Sequence, residues 1–263
     1  MPADTLAILA VLFLIVGALY ASVGHAGASG YLAVMALVGV EAAVMRPTAL
    51  SINVLVAVIA FTQFACAGHF SWTLFWPFAV ASIPAAYVGG LVQLPQQALK
   101  AAIGVVLVLT AVRMAFVAWR PPKAASAPRP PSMPVALAVG SGLGFLAGLT
   151  GTGGGIFLSP VILLMGWADP KRTAATSSLF ILVNSFAGLG GLASRGWTPP
   201  TSLWLLAACA GAGGITGATL GSRRATPRTL NVLLAVVLLI AGAKLVVVDP
   251  YRTGTAEQAD LHL

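Results

Sequence analysis

Apolar residues fall along this chain in blocks, without the alternation of a half-buried strand or the one-sided stripe of a surface helix. Long blocks lie at about 5–23, 48–66, 74–92, 99–118, 134–150, 174–192, 203–220 and 230–248, and shorter ones at about 30–40 and 156–167. A helix that is apolar all round is buried in a large core or in a bilayer. About 20 residues at ~1.5 Å each cross the ~30 Å hydrocarbon layer, so the long blocks are expected to span it. A twelve-residue helix reaches only ~18 Å, which makes the short blocks half-helices or parts of hairpins. The pattern predicts an all-α polytopic membrane protein with eight long helices and two short ones.

The order long, short, long, long, long occurs twice. Between the two runs lies Arg120-Pro121-Pro122-Lys123 through Arg129-Pro130-Pro131, which is Pro-rich, basic and without an apolar face, the composition of an aqueous linker. The chain therefore divides into a first transmembrane repeat (1–119), a linker (120–133), a second repeat (134–249) and a polar tail (250–263). Arg46-Pro47-Thr48-Ala49-Leu50-Ser51 matches Arg172-Thr173-Ala174-Ala175-Thr176-Ser177, and Tyr31-Leu32-Ala33 matches Phe157-Leu158-Ser159. Gly24-His25-Ala26-Gly27-Ala28 stands where the second half has Gly151-Thr152-Gly153-Gly154-Gly155. Five crossings are an odd number, so the repeats are expected to be inverted relative to one another. Inverted repeats with broken helices are a transporter architecture, with the substrate at the repeat interface.

Composition narrows the class. Only 14 Lys/Arg and 6 Asp/Glu occur among 263 residues, and mean hydropathy is +0.96, too few charges to coat a soluble domain. A soluble enzyme, a disulfide scaffold and a disordered chain are excluded. The net charge of +8 is no signature of nucleic-acid binding, because the cations sit singly or in short clusters between apolar blocks and build no solvated basic face. The positive-inside rule instead places the linker in the cytoplasm beneath an inner membrane, with Lys171, Arg172, Arg223, Arg224 and Arg228 also inside. The acidic tail, and Arg46 in a loop, then face outward. Met1-Pro2-Ala3-Asp4-Thr5 lacks the positive start of a secretory signal, so the first block is expected to remain as a helix.

The acidic residues Asp4, Glu41, Asp169, Asp249, Glu257 and Asp260 fall in tails or at block ends. With no carboxylate at mid-membrane, the usual ligand of cations and carrier of protons is missing, which argues against cation channels and carboxylate-driven pumps. His25, His69 and His262 are too scattered to hold a metal, and Cys66 and Cys209 read as small apolar filler. No nucleotide-binding or catalytic motif is present. Neither enzyme activity nor a cofactor is expected.

The candidate chemistry lies at the two glycine loops. A helix start leaves up to four N–H groups without intrahelical partners and carries partial positive charge; in a membrane an anion can satisfy those donors without Lys or Arg. The expected substrate-binding residues are Gly24, His25, Gly27 and Ser29 in the first loop and Thr152, Gly153, Gly154 and Gly155 in the second. Hydroxyls and amides opening the following helices join them: Ser51 and Asn53, with Thr48 beside them, and Thr176, Ser177 and Asn184. Helix packing and capping are the competing uses of such residues, and Gly211, Gly213, Gly214 and Gly217 are expected to serve packing. Histidine's ordinary pKa lies near neutral, which makes His25 a candidate for anion contact or proton response.

Gly24-His25-Ala26-Gly27-Ala28-Ser29-Gly30-Tyr31-Leu32 with Arg46-Pro47-Thr48-Ala49-Leu50, and Gly151-Thr152-Gly153-Gly154-Gly155 through Pro160 with Ala174-Ala175-Thr176-Ser177, resemble the TauE/SafE sulfite exporter family across residues 5–248. The first loop departs from the Gly-Gly-Gly form of the second. The resemblance implies export of sulfite, a sulfonate or a related small anion by alternating access. An anion channel, or a carrier of another small organic anion, is the alternative. The expected partners are a small anionic substrate, the lipid bilayer and a second copy of the chain in a homodimer, and not nucleic acid.

Overall fold

The structure, a computed structural model, describes residues 3–119, 131–194, 196–197 and 202–223. These form helices α1 (Ala3–Ala21), α2 (Ala28–Leu37), α3 (Ala42–Cys66), α4 (Trp72–Leu91), α5 (Gln96–Trp119), α6 (Met133–Thr150), α7 (Gly155–Leu164), α8 (Pro170–Ala193) and α9 (Ser202–Arg223). Six are long and apolar enough to cross a membrane: α1, α3, α4, α6, α8 and α9. The block at 230–248, the tail and most of the linker lie outside the described residues. Each expected block within them is a helix, the two short ones included.

Glycines punctuate the chain at matching places. Positive φ occurs at Gly24 and Gly151, Gly27 and Gly154, Gly39 and Gly166, and Gly68 and Gly196. Gly39 and Gly166 end α2 and α7 in the same way: the glycine N–H bonds back to Ala36 or Leu163, and the next N–H to Met35 or Ile162. Only glycine adopts this left-handed turn without strain. Each short helix thus has a positive-φ glycine immediately before it and another soon after it, which is what keeps it short. By contrast, α8 opens on Pro170 with Asp169 accepting from the Lys171 and Arg172 N–H groups at 3.0 Å each, a conventional capped start.

Packing does not follow the chain's halves. α1 lies along α9, α4 along α6, and α3 along α8, with further contacts of α4 on α8 and α3 on α9. Small residues allow this closeness. Gly140, Gly144 and Gly148 of α6 sit against the backbone of Phe78, Ser82 and Ala86 of α4, while Gly213, Gly217 and Gly221 of α9 sit against Leu14 and Ala18 of α1 and Ser22 just after it. Between helices in lipid this close van der Waals packing replaces the hydrophobic effect. One core surrounds α2 with residues such as Phe13, Tyr31, Ile52, Ile103 and Ala210; another surrounds α7 with Phe78, Ala136, Leu158, Ile162 and Phe180. Helices α4 and α9 are the exchanged members.

Two expectations need correction. Arg46 lies inside α3, 4% exposed, and not in an outward loop. Four of its five N–H donors are met by backbone carbonyls, which offsets most of the hydrogen bonding lost to water on burial. Cys66, expected as small apolar filler, ends α3 exposed. The packing glycines fare better: Gly213 and Gly217 meet α1 backbone, and Gly211 and Gly214 meet Leu55 and Val56 of α3.

Candidate functional site

Both short helices begin on a left-handed glycine. Gly27 precedes α2 with φ 96°, and Gly154 precedes α7 with φ 76°; neither helix start has a side-chain cap. An ordinary N-cap residue is extended and offers a side-chain oxygen. Glycine cannot, so these starts present backbone N–H groups and partial positive charge uncapped by their own side chains. Both loops press on the paired helices α3 and α8. Gly24 meets Ala174 of α8, and Gly151 meets the backbone of Arg46 of α3.

The first loop is tied to the second half by hydrogen bonds. His25, 5% exposed, directs Nδ1 to the Val23 carbonyl at 3.1 Å and Nε2 to Ser159 Oγ of α7 at 2.9 Å. A carbonyl only accepts, so Nδ1 carries a proton and Nε2 meets the hydroxyl. Ser159 also donates toward Ser177 Oγ of α8 at 2.8 Å and the Gly155 carbonyl at 3.0 Å. One hydroxyl hydrogen faces three neighbours, which makes Ser159 a junction between the first loop, α7 and α8.

The second loop packs on an amide. A Cβ on Gly153 would fall 2.8 Å from Asn53 Nδ2 and 2.9 Å from Ser185 Oγ, and Asn53 Nδ2 donates to Ser185 Oγ at 3.4 Å. Asn53 Oδ1, Thr48 Oγ1, Thr176 Oγ1 and Asn184 Oδ1 are buried without a hydrogen-bond partner. Such groups cost about 1–3 kcal/mol each when left unsatisfied, and four on the facing helices α3 and α8 are the mark of a place built for polar company. The Asn184 amide nitrogen is committed to the Phe180 carbonyl at 2.8 Å, so its free atom is an oxygen.

The sequence model of the family described as Sulfite exporter TauE/SafE matches residues 9–245. The chain belongs to this family. It is 43% identical over 247 residues to the probable membrane transporter protein y4hK of Sinorhizobium fredii, a match that covers 92% of this chain and 99% of that one. It is 32% identical over 114 residues to the probable membrane transporter protein YunE of Bacillus subtilis, covering 43% and 41% of the two chains. No solved structure matches. The protein is a multi-pass membrane transporter of the TauE/SafE family.

Within this transporter the expected residues divide. His25 and Ser177 come together through Ser159, Gly24 meets Ala174, Gly153 meets Asn53, and Gly154 and Gly155 meet Phe180 and Ile181 of α8. Thr176 and Asn184 lie buried on α8 with free oxygens. Ser51, Ser29 and Thr152 are engaged elsewhere. Ser51 donates to Pro47 O at 2.9 Å, using the hydroxyl within its own helix. Ser29 pairs with Tyr20 at 2.9 Å. Thr152 meets Thr150 at 3.0 Å, whose own hydrogen goes to Leu146 O. Gly27 turns the chain against the Tyr31 ring. Ser159 and Ser185 were not among the expected residues. Their signal was spacing: Ser185 stands two helical turns after Ser177, and Ser159 one turn after Gly155.

Proposed function

We propose that this transporter exports a small sulfur-containing oxyanion, sulfite or an organosulfonate, across the inner membrane. The observation that carries the reading is the pair of glycine-initiated short helices, whose loops rest on Ala174 of α8 and Arg46 of α3, beside helices on which the buried hydroxyls of Thr48 and Thr176 have no hydrogen-bond partner and can donate to an anion. Helix-start N–H groups would hold the anion's oxygens. Asn53, the Ser159–Ser177 pair and His25 would complete the polar shell, Thr176 beside them. The name of the family supports sulfite as the first candidate.

Alternating access between two inverted repeats, 1–119 and 134–249, suits this arrangement. Exchange of α1–α4 with α6–α9 maps the α1–α9 contact onto α6–α4 and the α3–α9 contact onto α8–α4, as a two-fold relation between the halves requires. With the linker 120–133 in the cytoplasm, a membrane potential of 100 mV, negative inside, favours each exported negative charge by ~2.3 kcal/mol. Export then needs no carboxylate-based coupling.

The test is sulfite flux through the purified protein in liposomes, with sulfate, thiosulfate, sulfoacetate and acetate as competitors. Saturable flux with sulfite or a sulfonate preferred supports the reading. Unitary currents without saturation would make the protein an anion channel, and preference for acetate would make it a carrier of other organic anions.

A further inference from the structure

Arg46 is a buried cation with no carboxylate within ion-pair distance among the described residues. Nε donates to Gly148 O at 3.0 Å, Nη1 to Val92 O at 3.1 Å, and Nη2 to Gly89 O and Gly90 O at 2.8 and 2.9 Å. Gly89 and Gly90 are in the last turn of α4, and Gly148 is in the last turn of α6. A helix end leaves these carbonyls without intrahelical partners. One guanidinium therefore caps two helix ends, whose partial negative charges of roughly one half each balance it. Both ends are within reach because Gly89 and Gly148 bring the two backbones into contact.

The capped end of α6 leads directly into the second glycine loop. Gly151, with φ 82°, ends α6, and a Cβ there would fall 2.9 Å from Arg46 O and 3.1 Å from Arg46 Cγ. The loop starts on the stem of the residue that fixes the helix before it. Arg46 and Asn53 share α3, two turns apart, so one rigid helix carries both the pin at the loop's base and the amide at Gly153.

We propose that Arg46 is the positioning residue of the anion site: by capping α6 and α4 together it sets where the loop 151–154 and the start of α7 stand relative to Asn53. The inference rests on the anion-transport reading above. It requires Arg and not Lys, because only the planar fork reaches both helix ends at once; an ammonium is a point charge on a flexible stem.

The experiment uses the full chain in detergent and in liposomes, with sulfite as the probe. Arg46→Lys is expected to stay monodisperse and to raise the sulfite Kd and the KM for flux by roughly 10- to 100-fold, the loss of about one charge-assisted hydrogen bond's worth of alignment, with a smaller change in maximal rate. Gly151→Ala, which lifts the loop and leaves the guanidinium in place, is expected to raise Kd in the same way and decides the matter if Arg46→Lys does not fold. Asp169→Ala, which removes the α8 cap, lowers the Tm and leaves Kd unchanged. If Arg46→Lys or Gly151→Ala lowers the Tm and leaves Kd as in Asp169→Ala, Arg46 is a staple of the fold only and the proposal is overturned. If the unsubstituted protein binds neither sulfite nor another oxyanion, the transport reading fails first and takes this one with it.

Discussion

Asn53 of α3 and Ser185 of α8 meet with Nδ2 and Oγ 3.4 Å apart, and both lie against Gly153 of the second glycine loop. This contact joins the two central helices to the base of α7. Asn53→Ala removes the buried amide, and sulfite affinity is expected to fall roughly 10- to 100-fold, the contribution of one hydrogen bond to a charged group. Asn53→Asp places a carboxylate where the anion would sit, so repulsion should abolish saturable flux. Calorimetric titration on both variants checks this; equal binding by Asn53→Asp and the parent would remove Asn53 from the site.

Ser159 is the junction between His25 and Ser177. Ser159→Ala deletes the hydroxyl that joins His25 Nε2 to Ser177 Oγ, so flux should drop about tenfold, the loss of roughly one buried hydrogen bond. Ser159→Thr keeps the hydroxyl and should recover most of the activity. Flux measured side by side in liposomes decides; equal loss in both variants would assign Ser159 to packing.

Two glycines with positive φ separate site from scaffold. Gly154→Val adds bulk where even a Cβ would fall 3.0 Å from Phe180 and 3.1 Å from the Leu143 carbonyl, and should abolish flux in a protein that remains monodisperse. Gly39 has the same left-handed turn, φ 80°, with nothing within 4 Å. Gly39→Ala should cost about 1 kcal/mol of stability and leave flux intact.

Within α6, Gly144 and Gly142 differ in what they face. A Cβ on Gly144 would collide with the Ser82 backbone of α4, whereas Gly142 meets nothing within 4 Å. Gly144→Ala should destabilise by roughly 1–3 kcal/mol, the usual cost of overpacking. Gly142→Ala should be neutral or stabilising by up to about 1 kcal/mol, because alanine loses less backbone entropy in a helix. Thermal unfolding in detergent distinguishes them, and a sign reversal would refute the α4–α6 contact.

Much of the fold is legible in the residues because a bilayer permits few solutions. Blocks apolar all round have to be helices, and loops such as Gly151-Thr152-Gly153-Gly154-Gly155 have to be breaks. The register between the two halves is less legible. Matching by residue type sets Arg46 beside Arg172, yet Gly151 rests on Arg46 as Gly24 rests on Ala174, which pairs Thr48 with Thr176, both buried with free hydroxyls. Apolar helices of similar composition can be slid along one another without changing their pattern, so only the contacts distinguish the alignments.

The linear order of residues determined the helical blocks, the two short helices between their glycines, and the loops that leave helix starts without a side-chain cap, because these depend on hydrophobic length and on the left-handed turns that glycine alone takes freely. The tertiary structure decided which helices are partners. It packed α4 on α6 and α9 on α1, brought His25 to Ser159 and Asn53 to Ser185, and turned Arg46 from an expected loop cation into a cap on two helix ends. Those outcomes rest on contacts between residues far apart along the chain, and a guanidinium finds its carbonyls only once the two helix ends that carry them have been packed together.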